Sequence, residues 1–262
     1  MNGGAAPAIS IPRTALVTGA AHRIGRAIAL DLAKQGFDLA IHYNRSGEAA
    51  EELAAQIRGM GRRAATLAAD LGREEETASL IGRAAEALGP VGCLVNNASR
   101  FEHDIWDKAT RESWDIHMEA NLRAPFLLSQ GMARALPDEA EGVIVNLLDQ
   151  RVWNLTPYFI TYTLSKAGLW TLTQTLALAL APRVRVNAIG PGPTLKSERQ
   201  NEDHFRMQWD ATPLQHGATA EEIAAGVRYI LAARSMTGQM IALDGGEHLG
   251  WAQPSRGFIP FE

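Results

Sequence analysis

The sequence predicts a single α/β domain: one doubly wound parallel sheet of seven strands with helices on both faces. Three observations predict it. Apolar runs of strand length alternate with longer stretches of helical periodicity, and no fixed-period repeat or compositional break divides them. The chain, at 262 residues, is also long enough for one sizeable core.

In order, the strands are expected at Thr14–Thr18, Asp38–Tyr43, Ala64–Ala68, Cys93–Asn96, Gly142–Leu147, Val184–Ile189 and Gln239–Leu243. The helices between them are expected at Ile24–Gln35, Glu48–Gly59, Glu74–Leu88, Arg111–Leu136, Tyr158–Ala181 and Ala220–Ala232. Residues 1–12, rich in Gly, Ala and Pro, read as a loose leader without the basic start and long apolar run of a secretory signal. The domain proper is read as 13–249. Within it the irregular stretch 190–217, with Pro191, Pro193 and Pro213, suits a lid, because ligands of such sheets bind outside the carboxyl ends of the strands. A tail of 250–262 carries Trp251, Phe258 and Phe261 and is expected to lie against a neighbouring subunit or to close a pocket.

Composition excludes several function classes. Hydrophobic residues at 46% and charged residues at 21% are ordinary globular usage, and a net charge of −4 gives no basic footprint for nucleic acid or an anionic membrane. Small molecules are the expected partners. The uncharged stretch from Ala167 to Pro182 is shorter than the roughly 20 residues of a membrane span. The lone Cys93, set among Val91, Leu94 and Val95, reads as a buried strand thiol in a reducing cytoplasm. His22, His103 and His117 show no metal-ligand spacing, so no metal is expected.

The first strand runs into Thr18-Gly19-Ala20-Ala21-His22-Arg23-Ile24-Gly25 and then at once into a helical pattern. Gly19 allows a tight turn, Gly25 lets the helix approach the strand, and the helix N-terminus offers N–H groups to a pyrophosphate. About twenty residues beyond Gly25, where a fold preferring NAD places an acid for the ribose, stand Asn44, Arg45 and Ser46. A guanidinium there holds a 2′-phosphate that a carboxylate would repel, which favours NADP(H).

Taken with Asp70-Leu71 after the third strand, Asn96-Asn97-Ala98-Ser99 after the fourth, Asn121, the Tyr162-Thr163-Leu164-Ser165-Lys166 stretch and Pro191-Gly192, this turn resembles the short-chain dehydrogenase/reductase family, whose fold is Rossmann-like. Two departures narrow the resemblance: Arg23 stands where most of the family has glycine, and Asp149 where most have serine. Both are similar to the pteridine reductases and bacterial dihydromonapterin reductases, as are the sequence after the second strand, Phe101, and Leu243-Asp244-Gly245-Gly246-Glu247-His248-Leu249 near the end. The resemblance implies an NADP-dependent oxidoreductase with Asp149, Tyr162, Lys166 and Asn121 as catalytic residues. It implies substrate contacts from Arg23, Phe101, Asp149 and Tyr162, and cofactor contacts from Gly19, Arg23, Ile24, Gly25, Asn44, Arg45, Ser46, Asp70, Leu71, Asn97, Ala98, Ser99, Lys166, Pro191 and Gly192. A homotetramer is implied in the same way.

Tyr162 and Lys166 share one helix face at this spacing, and a nearby ammonium is expected to lower the phenol pKa. Lys166 is expected to hold the nicotinamide ribose, and Asn121 to support a water in the proton path. Asp149, as a partly buried carboxyl of raised pKa, is expected to pass a proton through Tyr162 to a ring nitrogen as hydride reaches the adjacent carbon, which suits a pterin C=N bond. A purely structural Asp149, capping the next segment or pairing with Arg151, is the competing reading. For the whole chain the alternatives are a carbonyl reductase acting on a ketone or 3-oxoacyl group and a non-catalytic NADPH-binding module. Leu169, Leu172, Leu176 and Leu180 are expected to form either core or a subunit contact, and Trp153, Trp170 and Trp251 to be packing residues, with Trp153 near enough to Asp149 to line the pocket.

Overall fold

The strands are β1 (Thr14–Val17), β2 (Asp38–Tyr43), β3 (Ala64–Ala68), β4 (Val91–Asn96), β5 (Gly142–Leu147), β6 (Val184–Pro191) and β7 (Met240–Leu243) in the computed structural model, which describes residues 10–196 and 201–250. All pairings are parallel, in the order β3-β2-β1-β4-β5-β6-β7. The winding reverses between β1 and β4, so a crevice opens at their carboxyl ends, the place where such sheets bind ligands.

Every residue of β1, β4 and β5 is buried. That is the condition of strands covered on both faces, and it is why their sequence signal is a continuous apolar run rather than an alternation. One face is covered by α1 (Arg23–Lys34), α2 (Gly47–Gly59) and α8 (Ala220–Ala232), through residues such as Ile28, Leu53 and Val227. The other is covered by α3 (Glu74–Leu88), α5 (Ala124–Ala135) and α6 (Ile160–Ala179), through Leu80, Leu128 and Leu176. Cys93 is buried in β4, where burial pushes its thiol up to about 12. No described helix is long and apolar enough to cross a membrane.

Three expectations need correction. The helix expected over Arg111–Leu136 is broken into α4 (Arg111–Met118), a wide π turn at Glu119–Arg123, and α5. Pro125 causes the break, because it has no N–H to give the Asn121 carbonyl and its ring crowds that carbonyl. The lid stretch contains a helix, α7 (Glu202–Asp210), started by Asn201, whose side chain accepts from the His204 N–H. Finally, residues at the end of the expected leader are seated on the sheet: Ser10 bridges Ala140, and the Pro12 backbone lies against Gly92, where a Cβ would meet it at 2.2 Å.

The leucine stripe of α6 resolves in favour of core. Leu169 and Leu176 are buried, with Leu172 and Leu180 packed beside them, while α6 exposes Leu164 and Leu178 instead. Trp251, Phe258 and Phe261 lie outside the described residues.

Candidate active site

The loop between β1 and α1 is fixed from three sides. The Thr18 hydroxyl accepts from the Asn97 and Ala98 N–H groups, and the Asn97 amide donates to the carbonyls of Thr18 (2.8 Å) and Gly19 (3.2 Å). On the third side the Gly19 N–H donates to His42 Nδ1 at 3.0 Å. The imidazole must then carry its proton on Nε2, which faces the Ala69 carbonyl at 3.1 Å, and burial pulls its pKa down to about 4. His42 thus holds the turn as a neutral ring; its place near the end of β2 gave no sign of this in the sequence.

Gly19 sits at φ +62°, and a Cβ on Gly25 would stand 2.3 Å from the Gly19 carbonyl, so Gly19 is required by its backbone angle and Gly25 by space. α1 begins with Arg23, Ile24 and Gly25, with no side-chain cap and no acid in its first turn. By contrast α4 and α8 carry complete capping boxes, at Thr110 and Thr219. A helix start left open beside a glycine cradle fits a bound pyrophosphate.

The other expected cofactor residues gather along the same crevice. Asn44 and Arg45 are exposed beyond β2, with Ser46 at the uncapped start of α2. Beyond β3, Asp70 accepts from the Gly72 N–H beside buried Leu71. Ala98 and Ser99 follow β4. Pro191 ends β6, and Gly192 follows it so close to Asp244 that a Cβ would stand 2.7 Å from its Cβ. Arg23 is at φ +53°, a left-handed conformation that costs a non-glycine residue on the order of 1–2 kcal/mol. Its guanidinium donates to the carbonyls of Leu195 (2.9 Å) and Lys196 (2.8 Å), tying this turn to the segment after β6.

Tyr162 and Lys166 lie on the buried face of α6. The Tyr162 hydroxyl donates to Asp149 Oδ2 at 2.9 Å. Asp149 also accepts from the Arg151 backbone N–H (2.8 Å) and from the Arg151 guanidinium (3.0 Å). The competing readings of Asp149 therefore hold together, since it caps and pairs and also meets the phenol.

The expected lowering of the phenol pKa by Lys166 is corrected. Burial, reinforced by the Asp149 charge, raises Tyr162 well above its ordinary value, and the cation that opposes this is Arg151. Lys166 Nζ instead donates to the Leu147 carbonyl at 2.7 Å, and burial brings it down to about 8.

Asn121 sits in the π turn. Its amide oxygen accepts from the Arg100 N–H (2.7 Å), and its amide nitrogen donates to the Arg100 carbonyl (2.9 Å) and to Ser165 (3.0 Å). The side chain thus clamps the loop after β4 to α6. Pro125, having no N–H, cannot donate to the Asn121 backbone carbonyl.

Above the Tyr162–Asp149 pair lies a cavity of about 380 Å³, lined also by Arg23, Phe101, Arg151, Phe159, Phe205, Gln208 and Glu247. Phe101 is there as expected, but its ring is stacked on Phe159 at 4.4 Å and meets Tyr162 edge-on at 4.7 Å. Phe159 is itself left-handed at φ +57°, and the start of α6 beside it is satisfied from outside by Asp104, which accepts from the Thr161 N–H and hydroxyl. Trp153 is not among the lining residues; it packs edge-on against Trp170 and His248.

Phe159, Phe205 and Gln208 escaped the sequence reading, and Glu247 stood there only within the Leu243–Leu249 stretch and not as a site residue, because they reach the cavity from elements far apart in the chain. Glu247 is the most perturbed of them: burial raises its carboxyl to about 7.

Residues 13–206 match the family model for short chain dehydrogenases. The crystal structure of FolM alternative dihydrofolate reductase 1 from Brucella suis, in complex with NADP, is 49% identical, with a TM-score of 0.89 over 92% of this chain and 97% of that one. Its counterpart from Brucella canis, also complexed with NADP, is 47% identical, with a TM-score of 0.90 over 95% of this chain and 99% of that one. Among curated relatives, the 3-oxoacyl-(acyl-carrier-protein) reductase FabG of Staphylococcus epidermidis is 30% identical, covering 90% of this chain and 99% of its own length.

Proposed function

The chain belongs to the short-chain dehydrogenase family, and from that premise we propose that it is an NADPH-dependent reductase acting on a C=N bond of a pterin-like substrate, a dihydropterin or dihydrofolate. The observation that carries this reading is the carboxylate in contact with the reactive phenol: Asp149 Oδ2 lies 2.9 Å from the Tyr162 hydroxyl on the wall of the cavity. NADP in the FolM structures supports the cofactor, and the name of those neighbours supports the substrate class.

When bound, NADPH supplies the hydride. The open start of α1 and the Gly19 cradle hold its pyrophosphate, Arg45 with Asn44 and Ser46 its 2′-phosphate, and Lys166 its nicotinamide ribose. Asp149, Tyr162 and Lys166 form the proton relay, with Tyr162 as its terminal donor. The raised phenol pKa keeps that proton in place at neutral pH until a more basic ring nitrogen develops beside it. Asp149, pinned by Arg151, orients the hydroxyl, and the Asn121 carbonyl supports the water that refills the relay. Phe101 offers a flat apolar wall for the ring, and Arg23 serves both phosphate and substrate.

A second reading, reduction of a ketone or 3-oxoacyl group, is supported by the FabG relatives. Against it, a ketone oxygen gains negative charge as hydride arrives, and an ionised Asp149 would face that charge where a hydrogen-bond donor is needed. The homotetramer, the cytoplasmic location and the lid role of residues 190–217 belong to the same proposal.

A spectrophotometric screen of dihydropterins, dihydrofolate and ketones with NADPH and NADH tests it. NADPH consumption with a dihydropterin is the expected result; consumption with ketones alone overturns the pterin assignment and leaves the second reading.

A further inference from the structure

The cavity contains one acid that the proposed relay does not use. Glu247 stands in the short 3-10 turn Glu247–Leu249 that follows β7, and its backbone is fixed on two sides. The Glu247 N–H donates to the Asp244 carbonyl (3.2 Å), and its carbonyl accepts from the Asn154 amide (3.0 Å). Its carboxylate is only lightly held: among the described residues its hydrogen bond is with the Gln208 amide of α7, at 3.5 Å. Arg151 acts on it through charge and makes its ion pair with Asp149, at 3.0 Å.

Charge around this part of the cavity does not balance. Arg151 faces the charge of two carboxylates, bonding Asp149 but not Glu247, and Arg23, the other cation on the wall, donates to the Leu195 and Lys196 carbonyls. The wall therefore offers an acceptor lacking a strong partner, next to aromatic surface from Phe101, Phe159 and Phe205. A ligand that covers Glu247 strips water from it, and this is tolerated only if the ligand returns a hydrogen bond.

We propose that Glu247 is a specificity-determining residue that accepts a hydrogen bond from an N–H or O–H group of the substrate, so that the cavity selects a donor-bearing heterocycle over a donor-free carbonyl compound. An aminopyrimidine edge or a hydroxylated side chain of a pterin supplies such a donor; a simple ketone or an oxoacyl chain does not. The assignment deepens the pterin reading and rests on it for the identity of the substrate, but it makes a separate claim about which residue discriminates. Discrimination of this kind, from leaving a buried acceptor unmet, is on the order of 10- to 100-fold.

The groups facing the carboxyl are Arg151 and Asp149 from the segment after β5, Gln208 from α7, and Asp244 from its own turn, where Asp244 is engaged with His248. Burial with the two acids outweighs Arg151, and the carboxyl titrates at about 7. Recognition should therefore strengthen as pH rises through about 7 and Glu247 ionises.

The test uses the full chain saturated with NADP(H), comparing wild type with Glu247→Gln in two measurements. One is binding of an oxidised pterin by fluorescence titration, from pH 6 to pH 8. The other is the ratio of KM values for 7,8-dihydropterin and a comparator ketone. We expect Glu247→Gln to weaken pterin binding about 10-fold at pH 8, to flatten its pH dependence and to shift the KM ratio toward the ketone by a similar factor. Equal pterin affinity and the same pH dependence in both proteins would overturn the Glu247 assignment. Pterin binding that depends on Glu247 without any pterin turnover would sink the reductase reading alone. No pterin binding by wild type would overturn both.

Discussion

The two sides of the crevice are built by opposite rules. On the cofactor side Thr18, Asn97 and His42 close on one turn with short, well-aligned bonds, and Gly25 leaves no spare space, although Asn96 Oδ1 of β4 lacks a partner among the described residues. On the substrate side, Asp149, Arg151 and Glu247 crowd one cavity, the buried Arg151 Nε and Gln150 Oε1 lack hydrogen-bond partners among the described residues, and Phe159 is held left-handed. A phosphate cradle needs only rigidity. A reaction site needs groups whose demands are left unmet until substrate arrives, and it is less stable for that reason.

The largest effect expected of any single change tests the division itself. Tyr162→Phe removes the proton donor but no cofactor contact, so kcat should fall by about 10²- to 10⁴-fold while the NADPH dissociation constant, read by fluorescence titration, stays within about two-fold. If binding falls together with turnover, the two sides are not separable and the comparison is wrong. Arg45→Ala works from the other side. Loss of a charge-assisted contact to the 2′-phosphate should cost about 1.5–3 kcal/mol, or roughly 10- to 100-fold in KM for NADPH, with KM for NADH little changed. Equal losses for the two nicotinamides would mean that Arg45 does not read the phosphate.

Stability offers a sharper contrast. Glu247 titrates at about 7 when folded against 4.5 for an ordinary glutamate, so between these values the folded chain binds more protons than the unfolded one. Stability must then fall as pH rises through that window, by about 3 kcal/mol at the ceiling and about half of that for a group still in reach of water. Glu247→Gln should accordingly stabilise the protein by about 1–2 kcal/mol at pH 8 and by almost nothing at pH 4.5, measured by urea unfolding. His42 behaves in the opposite sense: its pKa is depressed, so its neutral ring costs stability as pH falls from about 6.5 toward 4. A gain from Glu247→Gln that is the same at both pH values would contradict the tension assigned to the substrate side.

The same contrast explains what could be read from the chain alone. The strands and the phosphate turn were legible because their causes are local: apolar runs, a glycine where φ is positive, a helix start directly after a strand. Tyr162 and Lys166 were legible as one turn of a helix. The π turn carried a signal, Pro125, but the amphipathic pattern ran through it and outweighed a single residue. What was not legible was charge balance. Whether Lys166 or Arg151 faces the phenol depends on where the Leu147 carbonyl and Asp149 lie after folding, and the assembly of Glu247 with Gln208 joins residues 39 positions apart.

Arg23 belongs to both sides, and it predicts the smallest effect on stability with a clear one on function. Arg23→Gly removes a left-handed arginine, which relieves on the order of 1–2 kcal/mol of strain. Against this, glycine widens the unfolded ensemble by about 0.4–1 kcal/mol, and two exposed hydrogen bonds to the Leu195 and Lys196 carbonyls, worth about 0.5 kcal/mol each, disappear. The terms nearly cancel, so the unfolding free energy from urea titration should shift by no more than about 1 kcal/mol. The variant nevertheless loses the tie between the β1–α1 turn and the segment after β6, and KM for both NADPH and substrate should rise. A large change in stability with unchanged KM values would make Arg23 a structural residue of the turn, and would leave the two sides of the crevice without a mechanical link.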